Sequence, residues 1–316
     1  FFLIFSIFTI AVYDGHGGAK IASHVSKHLH KTLVRRPEYK QGNYEEAFVK
    51  SFLECDEAMR KDETLKDEMS GSTAITALYR NNKLFVGNIG DSRCIACCSG
   101  LAEALSIDHK PGDALERDRI ENAGGFVEFN RVNGNLALSR AFGDFAFKNN
   151  IELPQERQMI SMKPDVVVHE IGEDLMFIVL ACDGIWDVLG NQEVADFVIS
   201  KMATGMEPAI ICEELMTRCL APDSSMGGLG CDNMTVILVC FLHNQTYEKL
   251  VKDCIQIEKI REDSRLRLIR EADEKSKDDD AENIFEDTVN SVIKENNEEN
   301  PGHLSDAKIS GDATDS

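Results

Sequence analysis

Four times in this chain an apolar, strand-like run meets a tight polar turn that holds an aspartate beside glycine or asparagine. Ala11-Val12-Tyr13 runs into Asp14-Gly15-His16-Gly17-Gly18, and Leu84 to Ile89 runs into Gly90-Asp91. Met176 to Cys182 runs into Asp183-Gly184, with Asp187 four residues on, and Asp232-Asn233 opens the run Met234 to Leu242. Glycine is favoured where the backbone turns sharply, takes a positive φ or lets another group approach closely. The β-branched and aromatic residues of these runs read as buried strands, the longest over Met234 to Leu242. A fold that buries these strands brings several carboxylates to strand edges, and such a set repels itself unless a cation neutralises it.

The rest of the chain supplies covers for the strands. Ile21, Val25, Leu29 and Leu33 repeat at helical spacing, and so do Phe48, Phe52, Cys55 and Met59 after a start near Gly42 or Asn43. Ala74 to Tyr79, a polar Arg80-Asn81-Asn82-Lys83 turn and Leu84 to Ile89 read as a β-hairpin. Cys94 to Cys98 is a further strand, turning at Ser99-Gly100 into a run through Leu105 to Ile107 that Pro111 stops. Ala114 to Ala123 reads as a short helix capped by Gly124-Gly125, and Phe126 to Phe129 as strand. Residues 131–164 show no period and are expected to form a long flap on the substrate side. Two strands, Val166 to Val168 and Met176 to Cys182, and helices from Asn191 and from Pro208 complete the pattern.

Composition narrows the function. With 316 residues, 43 % of them hydrophobic, the chain suits one large domain or two ordinary ones. A net charge of −21 argues against a nucleic-acid partner. Ten cysteines, mostly inside apolar runs, suit reduced thiols and a cytoplasmic or nuclear setting. Cys94-x-x-Cys97 lacks a second such pair and reads as buried thiols, and His24 with His28 reads as a polar helix face. The sequons at Asn233 and Asn244 are taken as chance matches.

The ends differ from the middle. The chain opens on Phe1 rather than Met, as a processed chain, a fragment or an imperfect gene model would, and no charge occurs before Asp14. That apolar stretch is far shorter than the roughly 20 residues that span a bilayer and has no basic flank, so a buried strand pair is expected and a membrane location is not. A domain of residues 1–243 is expected to precede a tail of residues 244–316. The tail begins with a charged helix through Val251, Ile255, Glu258 and Glu262, continuing to Arg270, and ends in a disordered acidic run open to a regulatory partner.

The aspartates define the chemistry. All-oxygen ligation without a His/Cys set points to hard cations, Mg²⁺ or Mn²⁺, which pair with phosphate oxygens. Two such ions a few Å apart can lower the pKa of a bridging water and clamp a phosphoryl group, so phosphate-ester hydrolysis follows. An imidazole beside a carboxylate, as at His16, is placed to act as general acid.

Seven stretches in order resemble the motifs of the metal-dependent protein phosphatase 2C family. They are Ala11 to Gly18, Ser70-Gly71-Ser72-Thr73-Ala74, Gly90-Asp91-Ser92-Arg93, Asp108-His109-Lys110-Pro111, Val132-Asn133-Gly134 with Ala137 to Asp144, Ala181 to Asp187, and Asp232-Asn233-Met234-Thr235. The resemblance covers roughly residues 10 to 242. It implies an α+β fold, a β-sandwich of two antiparallel sheets flanked on both sides by α-helices in four αββα layers. It also implies removal of phosphate from phosphoserine and phosphothreonine of phosphoprotein substrates, and the chain is expected to be a monomer. By matched position Asp14 would bridge two metals, the Gly15 carbonyl, Asp183 and Asp232 would complete their ligation, and His16 would protonate the leaving alcohol. Asp91 and, less firmly, Asp187 would serve a third ion.

One departure shapes a further expectation. Members of that family carry, before the glycine turn, a phosphate-binding Arg and a Glu-Asp pair that helps hold a metal, whereas Phe1 to Thr9 are uncharged. The resemblance therefore implies weaker metal binding and a lost phosphate clamp for this polypeptide, and an active full-length gene product. The alternatives are a catalytically impaired scaffold of the same fold and a membrane-anchored phosphatase using the apolar N-terminus.

Overall fold

The computed structural model describes residues 7–223 and 227–270. Its residues fall into two units, one ending at Glu258 and one beginning at Lys259. Of the second unit, residues 259–270 are helical. The first unit passes the composition change at residue 243.

The first unit is built on eight principal strands: β1 (Ile7–Val12), β2 (Ala74–Arg80), β3 (Lys83–Ile89), β4 (Arg93–Cys98), β5 (Leu101–Ala104), β6 (Asp165–Glu170), β7 (Leu175–Ala181) and β8 (Val236–Cys240). They form two antiparallel sheets, ordered β1-β2-β3-β6 and β8-β7-β4-β5. Period-2 alternation sends Val12, Ile75, Ala77, Leu84 and Val86 of the first sheet against Cys94, Ala96, Ile178 and Leu180 of the second, and this is the central core.

Helices cover both outer faces. α1 (Lys20–Arg35) buries Ile21, Val25, Leu29 and Leu33, the positions its periodicity marks. α2 (Tyr44–Lys61) starts at Asn43, whose side chain accepts the Glu46 N–H and donates to the Glu46 carboxylate, a reciprocal N-terminal cap. Phe48, Phe52 and Met59 of α2 pack with Leu78 and Phe85 of the first sheet. On the other side α4 (Asn191–Ala203), α5 (Pro208–Cys219) and helical residues 247–258 cover Ile95, Phe177 and Val179. The short helix α3 (Ala114–Asn122) lies between β5 and β6 in the chain. The expected αββα arrangement is therefore present.

Several local expectations need correction. The strand after Ser99-Gly100 ends at Ala104, so Pro111 terminates no strand; residues 105–109 instead bond back through Leu105 N–H to Cys94 O and His109 N–H to Gly90 O. β8 starts at Val236 and is half-buried rather than a long buried strand. Val127–Glu128 is strand, paired only with Arg131–Val132. Residues 131–164 are not irregular throughout: Phe142–Gly143 is a strand, Phe145–Phe147 and Gln155–Arg157 are 3₁₀ turns, and Ala141, Phe142, Phe145, Ile160 and Met162 are buried. Cys94 and Cys97 belong to different cores on opposite faces of β4, which fits the reading as separate thiols, and no disulfide joins the ten cysteines. His24 and His28 stack at 4.0 Å, and the His28 ring N–H donates to the His24 carbonyl. The expected partner strand before Ile7 and the disordered end beyond Arg270 lie outside the described residues.

Segment 141–148 is pinned by a buried ion pair. Lys148 Nζ lies 2.9 Å from Asp56 of α2 and donates to the Ala141 carbonyl, while Asp56 also accepts the Gly143 N–H. Both side chains are 3 % exposed. Removing one partner of such a pair strands the other charge and costs about 3–5 kcal/mol, while replacing both by apolar residues of similar volume is often near neutral. Asp56→Ala is therefore expected to lower the urea midpoint steeply, and Asp56→Leu with Lys148→Met to recover most of the loss. A single variant as stable as the parent contradicts this.

Candidate active site

Strand pairing carries the acids to one end of the sandwich. Asp14 follows β1 by two residues, and its backbone is fixed against Thr73: the Thr73 N–H donates to the Asp14 carbonyl at 2.8 Å, and the Asp14 N–H to Thr73 Oγ1 at 3.3 Å. The same hydroxyl meets Ser92 Oγ at 2.7 Å, so one buried threonine links the turn of Asp14 to the turn of Asp91. Asp183 follows β7 and Asp232 precedes β8, and those strands pair with Ala181 opposite Val236. Gly184 lets them close up, because a Cβ there would stand 2.4 Å from the Asn233 carbonyl oxygen.

The result is a cluster of like charges. Ligand atoms of Asp14, Cys182 and Asp183 lie within 4.8 Å of one another. Burial, followed by the charges of Asp91, Asp14, Asp232 and Asp187, pushes the Asp183 carboxyl up to about 7. Burial also raises Asp14, with Asp232 and Asp91 adding to it. All five aspartates singled out in the sequence are thus electrostatic neighbours. Asp183 Oδ1 is buried without a hydrogen-bond partner, an orphaned acceptor of the kind a cation satisfies. Cys182 Sγ in this group belongs to a thiol that burial keeps protonated and that accepts the Thr235 N–H, so the anionic donors are carboxylate oxygens, the chemistry of Mg²⁺ and Mn²⁺ rather than of soft ions. The residues therefore fit a hard divalent ion. Asp91 differs from the others: it is 5 % exposed and already pairs with the Lys110 ammonium.

His16 sits on the two-residue strand Gly15–His16, at the edge of a three-stranded ribbon whose centre is Gly71–Ser72 and whose far strand is Phe142–Gly143. His16 and Gly143 are both register partners of Gly71. Over that glycine, His16 Nε2 meets Asp144 Oδ2 at 2.6 Å. A Cβ on Gly71 would lie 2.2 Å from that Asp144 oxygen and 2.4 Å from His16 Nε2, so the pair exists because residue 71 has no side chain. Burial opposes protonation of His16, but Asp144, aided by Asp91 and Asp14, holds its pKa above the ordinary value.

Asp144 had no assigned role in the sequence, although Gly143-Asp144 repeats the Gly-Asp pattern of Gly90-Asp91. Its backbone is left-handed, at φ 49, a conformation Asp tolerates better than most residues. Nor did the sequence reveal the supports. Arg93 forks onto Asp108 at 2.9 and 2.7 Å and lies over the Trp186 ring, bracing the turns of Asp91 and Asp183. Arg140 bonds Glu116 and Asp165, and His109 holds both the Gly90 N–H and Asp165.

Comparison with known proteins gives a consistent picture. Residues 6–226 match the family model described as protein phosphatase 2C. The chain is similar to a probable protein phosphatase 2C of Caenorhabditis elegans, 55 % identical over 77 % of this chain and 68 % of the relative. It is also similar to protein phosphatase 2C homolog 2 of Hypocrea jecorina, 47 % identical over 75 % of this chain and 54 % of the relative. The chain thus spans between half and about two thirds of the length of these two relatives. Among solved structures, a phosphatase from Toxoplasma gondii superposes with a TM-score of 0.65 at 28 % identity, covering 75 % of this chain and 85 % of that one.

Two outcomes test the geometry. Asp144→Asn removes the charge that favours imidazolium, so the His16 pKa followed by NMR should fall; an unchanged value contradicts the contact. Glu116, buried between Arg119 and Arg140, is held at about 2 despite its burial. A carboxylate lowered on folding stabilises above its unfolded value and loses that contribution as pH falls. Stability measured from pH 5 down to about 2 should drop for the parent and drop less for Glu116→Gln.

Proposed function

Because the chain belongs to the protein phosphatase 2C family, we infer that it is a protein phosphatase that hydrolyses phosphoserine and phosphothreonine at a centre for two Mg²⁺ or Mn²⁺ ions. The observation that carries this reading is the gathering of Asp14 and Asp232 near Asp183, whose Oδ1 is buried and unpartnered, with His16 close enough to Asp14 to feel its charge. Asp14 would be shared between the ions, with the Gly15 carbonyl, Asp183 and Asp232 completing their ligands. Asp91 and Asp187 would hold a third ion, in the case of Asp91 in exchange for its contact with Lys110. When bound, the ions supply a nucleophilic water at neutral pH and offset phosphoryl charge.

The chain's own residues supply the proton. Asp144 occupies His16 Nε2, which fixes the ring and favours its protonated form. The other ring nitrogen, Nδ1, is then the one left to protonate the departing serine or threonine oxygen. General-acid assistance of this kind is worth about 10²–10⁴ in rate.

Phosphate release from a phosphothreonine peptide tests the reading. Activity should require Mn²⁺ or Mg²⁺, vanish with EDTA and return on adding Mn²⁺. Asp183→Asn should abolish it, and His16→Gln should lower kcat about 10²-fold or more with little change in metal affinity. Phosphate release that EDTA leaves intact, or full activity in Asp183→Asn, contradicts the proposal.

A further inference from the structure

The opposite end of β4 holds a second cluster with different donors. Cys98 ends β4, and its side chain belongs to the core between the sheets. Glu103 on β5 is the register partner of Ala96, another residue of that core, so Glu103 faces the same interlayer. His169 on β6 is the partner of Leu84, also in that core, so it points inward from the other sheet. β5 and β6 are edge strands of their respective sheets. At this edge, where alternation calls for apolar side chains, the sandwich places a thiol, a carboxylate and an imidazole.

One ligand atom from each of the three lies within 4.8 Å of the other two. His169 Nδ1 and Glu103 Oε2 are 3.9 Å apart, too far for a hydrogen bond. Zinc bonds of about 2.0–2.3 Å put tetrahedral ligand atoms about 3.3–3.8 Å apart, so small side-chain rotations complete the geometry. We propose that Cys98, Glu103 and His169 form a zinc site joining the edges of the two sheets, with a fourth position open to water. Cys98 is 7 % exposed and the Glu103 side chain 52 %, so the site is anchored at the sulfur and open at the carboxylate.

Without metal Cys98 is a thiol, because burial, with Glu103 and Asp174 adding to it, opposes its ionisation. On binding, the Zn–S bond forms as the thiol proton leaves to solvent. Inward charges on edge strands also deter edge-to-edge pairing. That role calls for no thiol and imidazole within reach of one point. The site is separate from the carboxylate cluster: at about 3.3 Å per residue, Cys98 stands roughly 20 Å along the strand from Asp91.

Equilibrium dialysis and Co²⁺ spectroscopy on the full chain, with excess Mg²⁺ present, test the proposal. One equivalent of Zn²⁺ should be retained. Co²⁺ should give the intense bands of a four-coordinate ion with a thiolate charge-transfer band in the near ultraviolet. Cys98→Ser and His169→Gln should each weaken Zn²⁺ binding by more than the roughly 10–100-fold that loss of an outer-shell partner costs, with circular dichroism showing an unchanged fold. No retained Zn²⁺ overturns the site, and so does binding that survives both substitutions. A thiolate band lost in Cys182→Ser but kept in Cys98→Ser would assign the ion to the Asp14–Asp183 cluster and overturn it equally.

Discussion

Mutual repulsion among carboxylates at one end of the sandwich is the constraint that the surrounding structure is built to withstand. Burial raises the cost of ionising Asp14 and Asp183, and the charges of Asp91 and Asp232 add to it at both, with Asp187 adding at Asp183. Like charges a few Å apart cost several kcal/mol at the dielectric of a protein surface, so no loop would hold them unaided. Asp14 is therefore tied at the backbone through Thr73, and the turn of Asp232 is held by the β7–β8 pairing that follows it and by the close approach at Gly184. Lys110, paired with Asp91, and Arg93, which feels the charges of Asp187 and Asp91, bring positive charge to the cluster. The sheets act as a frame that spends packing energy on bringing acids together.

The histidine depends on a second chain of contacts that starts far from it. α2 is anchored by Phe48 and Phe52 in its core, and it presents Asp56 to Lys148 and to the Gly143 N–H. That buried pair sets the path of segment 141–148, whose left-handed Asp144 reaches over Gly71 to His16. Asp56 of α2 thus acts on His16 of the ribbon through Gly143 and Asp144, without touching it. Short two-residue strands suffice here because the ribbon's register, not its length, aligns the pair.

The layers were legible in the sequence because their signals are local. Helical periodicity names Ile21, Val25, Leu29 and Leu33, and alternation with Asn81-Asn82 between runs names the β2–β3 hairpin, whose turn has both central residues at positive φ. The acids were legible because an aspartate beside glycine or asparagine recurs at one end of a strand-like run. What stayed hidden depends on pairings distant in the chain. His16 and Asp144 are 128 residues apart, and Lys148 and Asp56 are 92 apart. Segment 131–164 looks irregular because its order comes from such side-chain ties rather than from a repeating pattern. The role of Gly71 is equally silent, since a glycine in a polar stretch does not say which two side chains will cross it.

The central claim is that the carboxylate cluster beside His16 is a divalent-ion centre. Anomalous diffraction from crystals of the protein grown with Mn²⁺ tests it most directly. The account predicts anomalous peaks within bonding distance of the Asp14 and Asp183 carboxylates, with Asp183 Oδ1 among the ligands. Peaks confined to other surfaces, with Asp14 and Asp183 bonded only to protein groups at saturating Mn²⁺, would contradict it.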